Sequence, residues 1–395
     1  MKTINSMSTL LLLLTLLLGY TSCDDELVDE THEEEVVDPG EGDNGDEEDN
    51  EGEGDNGNEG DNEGENGDGD RPIIEGQTFT EQMIIDGEEN NGLIIRNCTF
   101  ENTGDHGIII KNVNDVLIQN CTFRNLKYTA IRFLADCESN NVIIEDNEIY
   151  NIEANGIHGA ETHYNTIIRN NRIHDVALVP ENGSHGMYFY GMDFLIEGNT
   201  VYNVGVEEGK GSGINVRTCG TIARNKVHNT HKDGISYSID HPGYNGTLLI
   251  ENNVVYSNPR NNIRIMGGAN ESKIGKAIVR FNTVISDNTN TPISLATGDL
   301  PDTEFEVYGN ILINAGGSNK YIGYSSSHEL EFESKNLTAT GDIGFVDYEG
   351  RDLRITSASE ANNFAVGLTA YPKDDFINLD VREENNLDAG AFMVN

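Results

Sequence analysis

The amino-acid sequence predicts an all-β solenoid, a parallel β-helix of about ten coils, on three observations: one short phrase recurs, its period is irregular, and its residues are those of strands and turns. Between Ile94 and Asn336 the chain repeats one or two apolar residues, a polar pair, then usually Asn and another apolar residue. The copies read IIRNCTF, LIQNCTF, IIEDNEI, IIRNNRI, LIEGNTV, TIARNKV, LIENNVV, IVRFNTV, VYGNILI and ESKNLTA. Their register residues are Cys98, Cys121, Asn147, Asn171, Asn199, Asn225, Asn253, Asn282, Asn310 and Asn336. The spacing varies from 23 to 29 residues, too irregular for a helical repeat but natural for coils whose loops differ in length. The apolar residues are Ile and Val more than Leu and Ala, they alternate with polar ones, and Asn and Gly punctuate them. One such strand group buries its apolar face only by stacking on the next.

The recurring Asn is expected at a bend, where it tolerates a left-handed backbone and its amide bonds the main chain, giving an internal ladder. Cys98 and Cys121 hold that position in neighbouring coils and are expected about 4.8 Å apart as a buried thiol pair. No CxxC spacing occurs, which argues against a zinc site. A second element follows each register residue: HGIIIK, TAIRFL, NGIHGA, HGMYFY, SGINVR, DGISYS, NNIRIM and TPISLA, starting at His106, Thr129, Asn155, His185, Ser212, Asp233, Asn261 and Thr291. Gly commonly opens this strand, and its first apolar residue is expected to face inward.

Taken in chain order, residues 1–22 read as a lipoprotein signal peptide: Lys2 precedes an apolar run from Leu10 to Gly19, too short to span a membrane. The Thr21-Ser22-Cys23 ending resembles a bacterial lipoprotein box, which implies lipidation at Cys23 and an outer-membrane, cell-surface location, with periplasmic or secreted protein as the alternatives. Residues 23–71 form an acidic tether. From 24 to 70 there are 24 Asp and Glu with no Lys or Arg, and so few apolar residues that the segment is expected to stay disordered. As a neutral coil it spans roughly 40 Å, and self-repulsion extends it. Residues 72–340 are the β-helix. Residues 341–395, with FVDYEGRDLRITSAS and NLDAGAF, resemble the closing segment of secreted β-helix proteins and are expected to supply the last coil and a cap.

With the first apolar residue of the second element inside, the next faces out, as does the one two further along. The first outward file is Ile109, Arg132, His158, Tyr188, Asn215, Ser236, Arg264 and Ser294; the second is Lys111, Leu134, Ala160, Tyr190, Arg217, Ser238, Met266 and Ala296. These files hold four cations, a histidine and two tyrosines, and no acid, on a chain of net charge −43. Arg132, His158 and Tyr188 fall on consecutive coils, and loops lengthen beside them at ALVPENGS and GVEEGKG. Long insertions on one edge of a repeat scaffold commonly wall a groove.

A basic stripe on an acidic, exported body suits an anionic polysaccharide or oligosaccharide containing uronic acids and disfavours nucleic acid; the membrane is reached only through the lipid anchor. Tyr188 and Tyr190 offer stacking surface. β-Elimination at a uronate needs a cation on the carboxylate, a base on the C5 proton and an acid on the departing O4. Arg132 and Arg217 are the candidates for neutralisation, His158 for base and Tyr188 for acid, with the last two exchangeable. Lys111, Tyr190, Asn215, Ser236, Arg264 and His185 are candidate substrate-binding residues. A sugar leaving group makes the enzyme a lyase, and a free hydroxyl makes it a dehydratase. Glu161, Asp233 and Asp240 in flanking turns keep hydrolysis open, His163 and His241 replace His158 if the register slips by one residue, and His174 and His228 read as structural. A noncatalytic glycan-binding lipoprotein is the rival reading, and a glycoside hydrolase or uronate C5-epimerase the third.

The repeat and its Gly-opened strands resemble the right-handed parallel β-helix (pectate-lyase-like) superfamily over residues 73–340. That resemblance implies a single-stranded right-handed parallel β-helix and, as relatives, pectate, alginate and chondroitin lyases, polygalacturonases and uronate C5-epimerases. The paired aspartates that polygalacturonases carry after an Asn-Thr-Asp motif are echoed only by Ser184-His185-Gly186. Calcium bridges substrate carboxylates in several such relatives, but no calcium-loop motif occurs, and no cofactor is assigned.

Overall fold

The computed structural model describes residues 71–180, 183–238, 246–267, 274–297, 303–324, 330, 332–377 and 381–394. Cys23, the acidic tether, Asp240 and His241 lie outside the described residues. Among those described, three parallel sheets run along a right-handed solenoid, with eleven, eleven and ten strands. The first sheet begins at Ile73–Glu75, the second at Thr78–Phe79 and the third at Met83–Asp86, and each strand pairs with its equivalent one coil away.

Alternation builds the core. Ile95, Ile118, Ile144, Ile168, Ile196, Ile222 and Ile250 point inward from the first sheet, and Phe100, Phe123, Ile149, Ile173, Val201 and Val227 from the second. The Gly-opened strands contribute Ile108, Ile131, Ile157, Met187, Ile214, Ile235, Ile263 and Ile293, all fully buried as expected. The opening glycines are required by the stacking: a Cβ on Gly186 would lie 2.4 Å from the Gly213 carbonyl oxygen of the next coil.

The register Asn forms the expected ladder but does not itself take the left-handed conformation. The residue before it does, at Asn97, Asn120, Asp146, Asn170, Gly198, Arg224, Asn252, Phe281, Gly309 and Lys335. That residue turns the corner with its side chain outside, which leaves the register side chain inside. There Asn199 Nδ2 donates to Asn225 Oδ1 at 3.0 Å and Asn225 Nδ2 to Asn253 Oδ1 at 3.1 Å, and the file runs from Asn147 to Asn336. Cys98 and Cys121 continue it as buried free thiols, the Cys98 amide donating to Cys121 Sγ at 3.4 Å.

Residues 341–395 do not add a coil in register. Phe345–Asp347 and Asp352–Ile355 pair antiparallel. The stretch beyond packs back along earlier coils, where the Gly390 amide donates to the Gly309 carbonyl at 2.8 Å and Arg382 Nη2 to Asn252 Oδ1 at 3.1 Å. Ala389, Ala391 and Phe392 are buried there with Ile285 and Ile313.

Candidate functional site

The third sheet pairs Ile109 with Arg132, Arg132 with His158, His158 with Tyr188, Tyr188 with Asn215, Asn215 with Ser236 and Ser236 with Arg264. The first outward file is therefore continuous, and its members stand one coil apart. Side chains meet across the coils. The His158 ring lies 5.3 Å from Tyr188 and 5.9 Å from Tyr190, whose two rings make an edge contact at 4.6 Å. Arg217 Nη2 donates to Tyr188 Oη at 2.7 Å, with its guanidinium 5.0 Å from the Tyr188 ring and 5.9 Å from that of Tyr190. The His185 ring lies tilted against Tyr188, with centroids 5.0 Å apart.

Two histidines open their strands and serve the backbone. The Thr129 amide donates to His106 Nδ1 at 3.0 Å, and the Ser212 amide to His185 Nδ1 at 3.1 Å. Asn155 does the same through Oδ1 for the His185 amide at 2.7 Å. Accepting at Nδ1 leaves the hydrogen of a neutral imidazole on Nε2, which faces the groove. His106 Nε2 lies 3.2 Å from Arg132 Nη1, and His185 Nε2 lies 3.5 Å from Asn215 Nδ2.

Burial and neighbouring cations hold these rings neutral. Burial, then Arg132 and His106, pushes His158 down to about 3. Burial and Arg132 push His106 down to about 4, and burial with Lys232 and Arg217 puts His185 well below its ordinary value. His158 thus departs from the near-neutral value expected of a free imidazole, because the low dielectric and the adjacent guanidinium both oppose a second positive charge.

Other candidates are engaged elsewhere. Lys111 Nζ pairs with Asp86 Oδ2 at 3.0 Å, and Asp86, in register with Lys111, places an acid at the end of a file that lacked one over the positions read from sequence. Arg264 Nη1 lies 3.4 Å from Asp233 Oδ2, and Asp233 also accepts from the Asn261 amide at 3.2 Å. Asn215 and Ser236 are buried, and Asn215 Oδ1 and Ser236 Oγ have no hydrogen-bond partner among the described residues. Glu161 is exposed. His163 lies inside the solenoid, fully buried, with Nε2 3.2 Å from the Leu134 carbonyl, so it does not replace His158. His174 and His228 sit on the second sheet in a parallel stack, Tyr150–His174–Tyr202–His228–Tyr256, at 4.8 to 5.3 Å.

The sequence reading missed His106 and Tyr128. Tyr128 is 38 % exposed, its ring 5.4 Å from His106 and beneath Lys127 Nζ at 5.2 Å. The available signal was the HG pair opening two strands, at His106-Gly107 and His185-Gly186. A cavity of about 600 Å³ lies elsewhere, on the first sheet beside Phe376, where Arg169 and Arg224 are already paired with Glu145 and Glu197. Among the described residues no group of three or more His, Cys, Asp or Glu side chains is placed to hold a metal ion.

Fold and site together define a right-handed parallel β-helix with a basic, histidine- and tyrosine-lined face on its third sheet. Residues 82–240 match the family model described as right handed beta helix region. No curated protein matches the chain. Among solved structures, the chain is similar to XylC in complex with xylose, with a TM-score of 0.54 and 13 % identity over 76 % of this chain and 64 % of that one. A variant of the periplasmic alginate epimerase AlgG gives 0.37 and 17 % over 62 % of this chain and 50 % of that one. The A-module of the Azotobacter vinelandii mannuronan C-5 epimerase AlgE6 gives 0.36 and 14 % over 68 % and 79 %. The chain thus spans less than two thirds of the first two, and at such identities the likeness is one of fold.

Proposed function

We propose that this groove binds a uronate-containing polysaccharide or its oligosaccharides and catalyses β-elimination at a uronic acid. One observation carries the reading: a cation, an imidazole, a phenol and a second cation, Arg132, His158, Tyr188 and Arg217, adjoin on successive coils, with Arg217 donating to the phenol oxygen. Arg132 pairs with the substrate carboxylate and stabilises charge developing at C5. Neutral His158 takes the C5 proton. That carboxylate offsets the positive field of Arg132, which raises the basicity of His158 during binding. Electrons of the C5–H bond form the C4–C5 double bond as the C4–O4 bond breaks. O4 leaves with the Tyr188 proton, and the Arg217 guanidinium stabilises the phenolate left behind. The roles of His158 and Tyr188 are interchangeable in this scheme. Buried Tyr190 packs against Tyr188 and Arg217 and holds the phenol in place.

Mass analysis of products from a panel of polyuronates and oligouronates tests this. Loss of one water without shortening identifies a dehydratase, and shortening to unsaturated ends identifies a lyase. New saturated reducing ends mean hydrolysis, and inverted C5 configuration without either means epimerisation. Binding without turnover would leave a glycan-binding protein. The same proposal places the β-helix at the outer-membrane surface, held through Cys23 and its acidic tether.

A further inference from the structure

We infer that His106 joins Arg132 in a cradle for the carboxylate of the uronate that reacts at the His158–Tyr188 pair, with Tyr128 as a platform for the adjoining sugar. This rests on the uronate reading of the groove. The argument starts from hydrogens. A neutral imidazole has one N–H, yet both neighbours of the His106 ring, the Thr129 amide and Arg132 Nη1, are pure donors at 3.0 and 3.2 Å. Whichever nitrogen carries the hydrogen, one contact sets donor against donor. The backbone amide is fixed by the coil stack, so the mismatch falls at Arg132, where His106 Nε2–H and the guanidinium converge on the same point.

An acceptor placed there satisfies both donors, and a carboxylate, with two oxygens, is the group that takes a guanidinium and a second N–H together. Arg132 Nε, buried with no hydrogen-bond partner among the described residues, adds a further donor. Asp105 Oδ1 accepts the His106 amide at 2.9 Å and stands 3.9 Å from Nε2, beyond hydrogen-bond reach. Beside the cradle, exposed Tyr128 offers an aromatic surface and Lys127 a second cation. The combination of donors for an anion and an exposed ring fits the carboxylate of the reacting uronate and the pyranose joined to it.

The scaffold supplies the control. At the equivalent position Asn155 accepts the next coil's amide through Oδ1. His106→Asn therefore keeps the bond to the Thr129 amide and removes the outward Nε2–H. With an oligouronate as probe, titration calorimetry on the purified protein is expected to show about tenfold weaker binding for His106→Asn. The carboxyl-reduced oligosaccharide is expected to bind both proteins equally. Tyr128→Ala should weaken both ligands alike, and Arg132→Gln the charged one. In turnover, His106→Asn is expected to lower kcat/KM about tenfold. Unchanged oligouronate binding by His106→Asn, or equal losses for charged and reduced ligands, overturns the cradle. His106-dependent uronate binding without any elimination product keeps the cradle and refutes the catalytic reading.

Discussion

At the residue scale the third-sheet face makes histidine unusually hard to charge. His158 is pushed down to about 3 by burial and by Arg132, so it is already neutral where an ordinary histidine is half protonated. The acid limb of kcat/KM, which reports the free enzyme, is therefore expected well below pH 6.5, near 3 to 4. A half-maximal rate near pH 6.5 would show that burial does not set the basicity of His158. Arg217 acts through Tyr188, the phenol to which it donates at 2.7 Å. Arg217→Gln is expected to lower kcat about a hundredfold, with KM changed little, and steady-state kinetics at several pH values checks this. Neither arrangement was legible in the sequence. Alternation assigns a side chain to a face of the sheet, but not its desolvation or the neighbour toward which it leans.

At the scale of the element, period-two alternation made the outward file readable in advance, because a one-residue slip would have put Ile157 and Met187 outside. The bends were less legible. Arg224, Phe281 and Lys335 take left-handed conformations that their residue types disfavour, since the amide ladder beside them fixes the corner. Asn225→Ala removes the acceptor of two Asn199 donors and leaves the Ile196 carbonyl without its partner. We expect a loss of about 3 kcal/mol in urea unfolding, whereas an exposed Asn such as Asn385 should tolerate Ala within about 0.5 kcal/mol. Gly186→Ala drives a Cβ to 2.4 Å from the Gly213 carbonyl oxygen and 2.7 Å from Val201 Cγ1. It is expected to displace the strand carrying Tyr188 and to lower melting temperature and turnover together.

On the scale of the whole molecule, charge divides the chain: 24 of its 68 acids lie between residues 24 and 70, while the groove gathers cations and neutral histidines. His158, His106 and His228, pushed down to about 3, 4 and 4, take up protons on unfolding below pH 6.5 but not in the folded state until about pH 4. Stability from these groups is thus complete above pH 6.5 and declines as pH falls toward 4, with a slope of up to about 1.4 kcal/mol per pH unit for each. Calorimetric melting between pH 7.5 and 4.5 is expected to show this decline; a flat profile would mean that the buried rings are solvated. The closing segment, expected to supply the last coil and a cap, packs back against Asn252 and Gly309, contacts that its composition does not reveal.

The central claim is tested most directly by the ultraviolet absorbance of an unsaturated uronate, followed with acidic oligosaccharides as substrate. The wild-type protein should generate it, and His158→Ala and Tyr188→Phe should each slow it by about a hundredfold or more while still binding the substrate. No absorbance change on any uronate, or both variants within a fewfold of wild type, would contradict the assignment of this groove to elimination.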